Sequence, residues 1–277
     1  MQRQIQRLVT GVATSDGAGV KLTRMIGTSQ LGHIDPFLML DCFESDQPDD
    51  YIAGFPSHPH RGFETVTYIL NGRLRHKDNH GHEGVIEEGG IQWMTAGRGI
   101  IHSEMPEQQQ GLLKGFQLWV NLPAKDKMVA PRYQEYSAAQ IPQETDPQGN
   151  CIRVIAGQTP HQTIGPIQTA DTQVSYFDIS LVAGAQMQWP IAADQSGFIY
   201  TINGSVRLSP ETSPIQAYQL AVLGEGDSIT LHATQPSRIL LITGRSIREP
   251  IAWGGPFVMN TREQVLQAFD DFQNHRF

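Results

Sequence analysis

The chain has 277 residues, with 27 Gly, 17 Pro, 39% hydrophobic and only 17% charged residues, a balance that excludes disorder and a long coiled coil and suits one large folded unit or two smaller ones. A formal net charge of −8 argues against direct nucleic-acid binding, which draws on counterion release by basic side chains. Two cysteines, Cys42 and Cys151, are too few for a disulfide framework or a thiolate zinc site, and neither a signal-type apolar core nor a run of 18 apolar residues occurs, so a cytoplasmic protein with no membrane segment is expected.

Short β-type runs between glycine-containing turns dominate the pattern. Residues 66–70 form the first clear strand and lead into Asn71-Gly72, the dipeptide favoured in type I′ hairpins because both central residues tolerate positive φ. Residues 73–76, 91–94 and 116–120 read as further strands, with Trp93 and Trp119 as core residues. Runs at 174–181, 198–202, 206–208, 229–231 and 239–243 continue the texture. Helical periodicity arrives only at the end, where Thr261 and Gln264 make a capping box ahead of Val265, Leu266, Phe269 and Phe272 on one face.

Residues 68–74 recur loosely as residues 200–206, an offset of 132, and Glu88-Gly-Gly-Ile91 is echoed by residues 225–229. Two copies of a β unit predict an all-β protein of two tandem jelly-roll barrels with a short C-terminal helix. The joint is placed in the proline-bracketed stretch 122–131, giving domains 1–130 and 131–277.

Among ten histidines, spacing singles out His58-Pro-His60 and His102-Ser-Glu104. On a strand, residues two apart share a face, so each pair can converge on one ion. Three imidazoles and a carboxylate, without thiolate, suit Fe(II), Mn, Ni, Cu or Zn. Glu64, four residues after His60, is a second candidate carboxylate. His80-Gly-His82 lies in a polar, glycine-rich stretch and reads as an exposed loop; His33, His76, His161, His232 and His275 lack partners at ligand spacing. In the second copy, the positions matching the four candidate ligands are Pro190, Ala192, Ile239 and Leu241, so the C-terminal barrel is expected to hold no metal.

Residues 58–65, 92–105 and 255–261 resemble the signature segments of the pirin family, within the cupin superfamily, and the similarity runs from about Gly32 to the C-terminal helix. The resemblance implies two cupin barrels, a bicupin, with one iron in the N-terminal barrel held by His58, His60, His102 and Glu104. Many other cupins use the glutamate of the first motif, here Glu64, which the resemblance leaves in reserve as a supporting residue. Gly97 stands where cupins commonly have proline, a departure that pirins share.

Bacterial pirins resemble quercetinases, which implies a quercetin 2,3-dioxygenase that opens a flavonol with O₂ and releases carbon monoxide. Glu104 would then also act as general base, and Phe55 and Gln117 are candidate substrate-binding residues, one beside the first motif and one on the strand after the second. The family also implies an alternative, an iron-dependent regulator acting through protein–protein contacts. The expected partners are a flavonol-like molecule and O₂, with a protein partner under the alternative, and the expected state is a monomer.

Overall fold

The computed structural model describes residues 1–277. β1 (Ile5–Val9), β2 (Val12–Asp16), β3 (Val20–Ile26) and β4 (Phe37–Ser45) come first along the chain. β5 (Phe55–His60), β6 (Phe63–Asn71), β7 (Leu74–Asp78) and β8 (Glu83–Ile86) follow, then β9 (Ile91–Thr95), β10 (Ile100–Pro106), β11 (Leu113–Asn121) and β12 (Arg132–Tyr136). The next strands are β13 (Gln143–Thr145), β14 (Cys151–Ala156), β15 (Ser175–Leu181), β16 (Gln186–Pro190), β17 (Gln195–Asn203), β18 (Ser205–Val206), β19 (Ile215–Gln216) and β20 (Leu220–Leu223). β21 (Ser228–His232), β22 (Ser237–Arg245), β23 (Ala252–Gly254), β24 (Phe257–Met259) and the helix α1 (Arg262–Gln273) complete the order. No helix is long and apolar enough to cross a membrane.

The strands gather into two compact units of cupin type. One comprises residues 12–138 and 247–277, the other residues 139–246 and 1–11. Each centres on a seven-stranded antiparallel sheet, ordered β12-β9-β6-β11-β4-β3-β2 in the first and β1-β20-β17-β22-β15-β14-β13 in the second. Matching β6 to β17 through the internal repeat makes the two orders coincide strand for strand, with β1 in the edge place that β12 holds in the first unit. A four-stranded sheet, β5-β10-β7-β8, completes the first barrel; the pairs β16-β21 and β18-β19 serve the second. These units differ from a cut at residue 130. β1 pairs with β20, and the segment after residue 246 returns to the first unit, where Arg61 bridges to Phe257 and its guanidinium donates to Asp271 at 2.7 Å.

The two central strands show why the pattern was legible. β6 and β17 lie between neighbours on both sides and are buried along most of their length, which favours the β-branched and aromatic residues they carry. β7 and β10 instead alternate buried and more exposed positions, so one face of each looks into the barrel. The Asn71-Gly72 turn does not form a hairpin. β6 pairs with β9 and β11 while β7 pairs with β10 and β8, so the turn passes the chain from one sheet to the other. Gly72 has φ +87°, and a Cβ there would clash with Gln108 Oε1; Asn71 is not among the residues of positive φ, so the turn is not the type I′ turn that the dipeptide favours. Asn203-Gly204 does the same between β17 and β18.

The capping box of α1 is present, with Thr261 and Gln264 exchanging bonds. Its buried face is Val265 and Ala268, with Phe269 edge-on to Phe257 at 4.8 Å, whereas Leu266 points to solvent. The second unit has an apolar interior built from residues such as Val154, Phe177, Ile199 and Leu231, and Ile239 and Leu241 are part of it.

Lys127 is fully buried in the first unit and donates to Gly62 O at 2.7 Å, Asn121 Oδ1 at 2.6 Å and Val258 O at 3.0 Å. Burial pulls its pKa down to about 7, opposed by the charge of Glu249. Below pH 7 folded and unfolded chains both keep the proton. Between pH 7 and the unfolded value near ~10.4, the unfolded chain holds one proton more, so stability rises with pH by at most about 1.4 kcal/mol per unit. Lys127→Met is expected to abolish that rise and to cost about 1–3 kcal/mol for each acceptor left unpaired. Urea unfolding of both proteins at pH 7 and pH 9.5 measures the two effects.

Candidate metal centre

β5 and β10 pair antiparallel, with His58 opposite His102 and His60 opposite Ile100. The two-residue period puts His58 and His60 on one face of β5 and His102 and Glu104 on one face of β10. The three imidazole rings meet, with centroids 4.7 Å apart for His58–His60, 4.5 Å for His58–His102 and 5.0 Å for His60–His102. Their ligating nitrogens all lie within 4.8 Å of one another. His58 Nδ1–H donates to Pro56 O at 2.8 Å, which leaves its Nε2 lone pair free for a ligand role.

The environment suits a cation. His60 and His102 are buried, and burial together with the neighbouring imidazoles holds both well below the ordinary histidine range, so they are neutral at pH 7. His60 Nδ1 and both ring nitrogens of His102 have no hydrogen-bond partner. Buried neutral imidazoles with unpaired nitrogens are what a metal ion needs and what a packed core avoids.

Glu104 is 3% exposed and lies on the cavity wall with His58 and His60, outside the group of nitrogens within 4.8 Å of one another. Its partners are neutral: the Thr67 hydroxyl at 2.9 Å and the Gln117 amide Nε2 at 3.2 Å. A carboxylate held this deep by neutral donors favours a cation beside it. Glu64 lies elsewhere. It alternates with Thr65 and Thr67 along β6, so it faces away from the cluster, accepts a hydrogen bond from Thr95 at 2.6 Å and is raised in pKa by burial.

The cavity in front of the cluster has a volume of about 630 Å³, within the ~300–1,000 Å³ of small-molecule sites. Phe55 and Gln117 both line it, as do Phe43, Met39, Trp119 and Trp253. Trp93 is fully buried as expected, but Trp119 is not simply core: it stacks on Trp253 at 5.7 Å and packs against His60 and Phe63. Sequence alone also missed Thr67, Arg24 and Asp41. Arg24 grips Asp41 through two bonds of 2.7 Å at the cavity wall.

These polar residues form one row across the large sheet. Arg24 is in register with Asp41, Asp41 with Gln117, Gln117 with Thr67, Thr67 with Gln92, and Gln92 with Glu135. Directly opposed residues share a face, so the row runs from the cavity to β12 on one side of six strands. At its far end His76 and His82, read as partnerless and as loop-exposed, converge with Glu135. No sequence spacing signals that meeting, because β7, β8 and β12 come together only through the fold.

The pirin family model matches residues 19–120, and the model of the pirin C-terminal cupin domain matches residues 176–277. The chain is 54% identical over 275 residues to a pirin-like protein of Caulobacter vibrioides, covering 99% of each. It is 44% identical over 265 residues to pirin of Mus musculus, covering 94% of this chain and 89% of that one. Among solved structures, quercetin 2,3-dioxygenase from Acinetobacter baumannii aligns with a TM-score of 0.92 at 32% identity, over 100% of this chain and 99% of that one.

Proposed function

The chain belongs to the pirin family, and from that premise we propose that it is a metal-dependent dioxygenase that opens the central ring of a flavonol such as quercetin with O₂ and releases carbon monoxide. The observation that carries this reading is the convergence of three imidazoles, with the buried carboxylate of Glu104 nearby, at the wall of a largely apolar cavity of small-molecule size. The likeness to the Acinetobacter baumannii quercetin 2,3-dioxygenase supports the choice of substrate class.

His58, His60, His102 and Glu104 would hold the ion, with Fe(II) proposed from the family and Mn, Ni, Cu and Zn also suited to such a set. A divalent metal bound there supplies Lewis acidity that lowers the pKa of the flavonol 3-hydroxyl. Glu104, oriented by Thr67 and Gln117, is the group placed to accept that proton at a carboxylate oxygen. Gln117 bridges the hydroxyl of Thr67 and the carboxylate of Glu104, so it fixes the orientation of the base. Phe55, Trp119 and Trp253 give a planar substrate aromatic walls and exclude water from the reacting face.

The test is anaerobic reconstitution with Fe(II) followed by exposure of a flavonol panel to O₂. Loss of flavonol absorbance with one carbon monoxide released per flavonol is the expected result. Stoichiometric iron without turnover would overturn the enzyme reading and leave the regulatory one.

A further inference from the structure

A second group of ligand-type side chains lies at the far end of the polar row and shares no residue with the first. His76 projects inward from β7, His82 sits just ahead of β8, and Glu135 comes from β12. Their ligating atoms lie within 4.8 Å of one another. His76 Nε2 is 2.5 Å from Glu135 Oε1, and His82 Nε2 is 3.3 Å from Oε2, so each imidazole addresses a different oxygen of one carboxylate. Apart from the Glu135 carboxylate, neither Nε2 has a hydrogen-bond partner, although His76 is only 1% exposed.

Four surrounding features bear on the group. Tyr133 stacks on both rings, with centroids 4.2 Å from His82 and 5.8 Å from His76, and fixes their planes. Gln92 Nε2 donates to Glu135 Oε1 and holds the carboxylate in place. Gly84 lies opposite His76 in the β7–β8 ladder, and a Cβ there would come within 2.6 Å of His76 Nε2 and 3.4 Å of Glu135 Oε2. Gly84 is not among the residues of positive φ, so what its missing side chain provides is room beside the two ligand atoms. A cavity of about 390 Å³, lined by Asp78, His80, His82, Arg98 and Tyr133, lies beside His82, the one of the three that borders it.

We propose that His76, His82 and Glu135 form a second divalent-metal site, of the two-imidazole, one-carboxylate type taken by Zn(II) and similar ions. Such ions bind nitrogen and oxygen ligands at about 2.0–2.2 Å, which places ligand atoms roughly 3–3.5 Å apart. A small rotation of Glu135 away from His76 meets that spacing. Water or an external ligand would complete the coordination from the side of His82 that borders the cavity. The inference goes beyond the proposed dioxygenase and does not depend on flavonol turnover.

The test is Zn(II) titration of chelator-stripped protein, with bound zinc per chain measured after gel filtration. Wild type is expected to bind two ions per chain, and His82→Ala and Glu135→Gln to bind one each. His58→Ala with His60→Ala is expected to keep one, which is lost on adding His82→Ala. His161→Ala, an exposed histidine in the other unit, is the control and keeps two. Circular dichroism spectra confirm that each variant is folded; Glu135→Gln preserves side-chain volume and serves if His82→Ala does not fold. Saturation of wild type at one ion, lost with His58 and His60, would overturn the proposal. So would a second ion that persists in both His82→Ala and Glu135→Gln.

Discussion

Replacing His58 and His60 together by alanine is expected to strip the first barrel's primary metal and to abolish flavonol-dependent O₂ uptake. The two residues share one face of β5 and meet His102 across the β5–β10 ladder. With both gone, one imidazole and one carboxylate remain, too few donors for tight binding of a divalent transition ion. The loss should exceed the ~10–100-fold typical of changes to groups that merely support a ligand. Because His60 and His102 are buried and neutral, removing an imidazole relieves an unpaired polar group and opens a cavity at the same time, so the apo fold should survive. Iron per chain after anaerobic loading, together with oxygen uptake, checks this. His60→Gln, which keeps volume and a polar tip, should also lose metal while melting near the wild-type temperature. Full iron loading of the double variant would refute the assignment of these histidines.

The second large effect separates the two glutamates. Glu104→Gln replaces an anionic oxygen donor with a weaker neutral one on the cavity wall, so both iron content and turnover should fall by more than ~100-fold. Glu64→Gln should change neither beyond ~10-fold, because Glu64 faces away from the imidazoles and its bond from Thr95 can be kept by the amide oxygen. Burial already favours the neutral form of Glu64, so the amide is close to what the site prefers. Both variants are compared at one iron concentration in one buffer. Iron lost from the Glu64 variant but kept by the Glu104 variant would reverse the roles.

The alternating His-x-His and His-x-Glu pairs could be read from sequence because the strand period is local: residues two apart share a face whatever the tertiary context. The capping box of α1 was legible for the same reason. The polar row was not. Arg24, Asp41, Gln117, Thr67, Gln92 and Glu135 are isolated polar residues on six different strands, and only the register of those strands sets them side by side. Asn71-Gly72 shows the limit of a local signal, since the dipeptide specifies a tight turn but not which sheet receives the next strand. β1 makes the same point about domains: nothing in residues 5–9 shows that their partner is β20, more than two hundred residues away.

The three crossings of the chain between units also set an order of completion during synthesis. Everything that the unit of residues 139–246 requires, including β1, has left the ribosome once residue 246 is free. The histidine-bearing barrel begins earlier but must wait for residues 247–277, which bring Val258 O to Lys127 and Asp271 to Arg61, the neighbour of His60. The strands of both its sheets are all present by residue 136, so its nascent form lacks these two contacts and no strand of either sheet. All four proposed ligands thus precede the segment that braces their barrel, and deleting residues after 246 would spare the apolar barrel while removing the Asp271 bond to Arg61 beside His60.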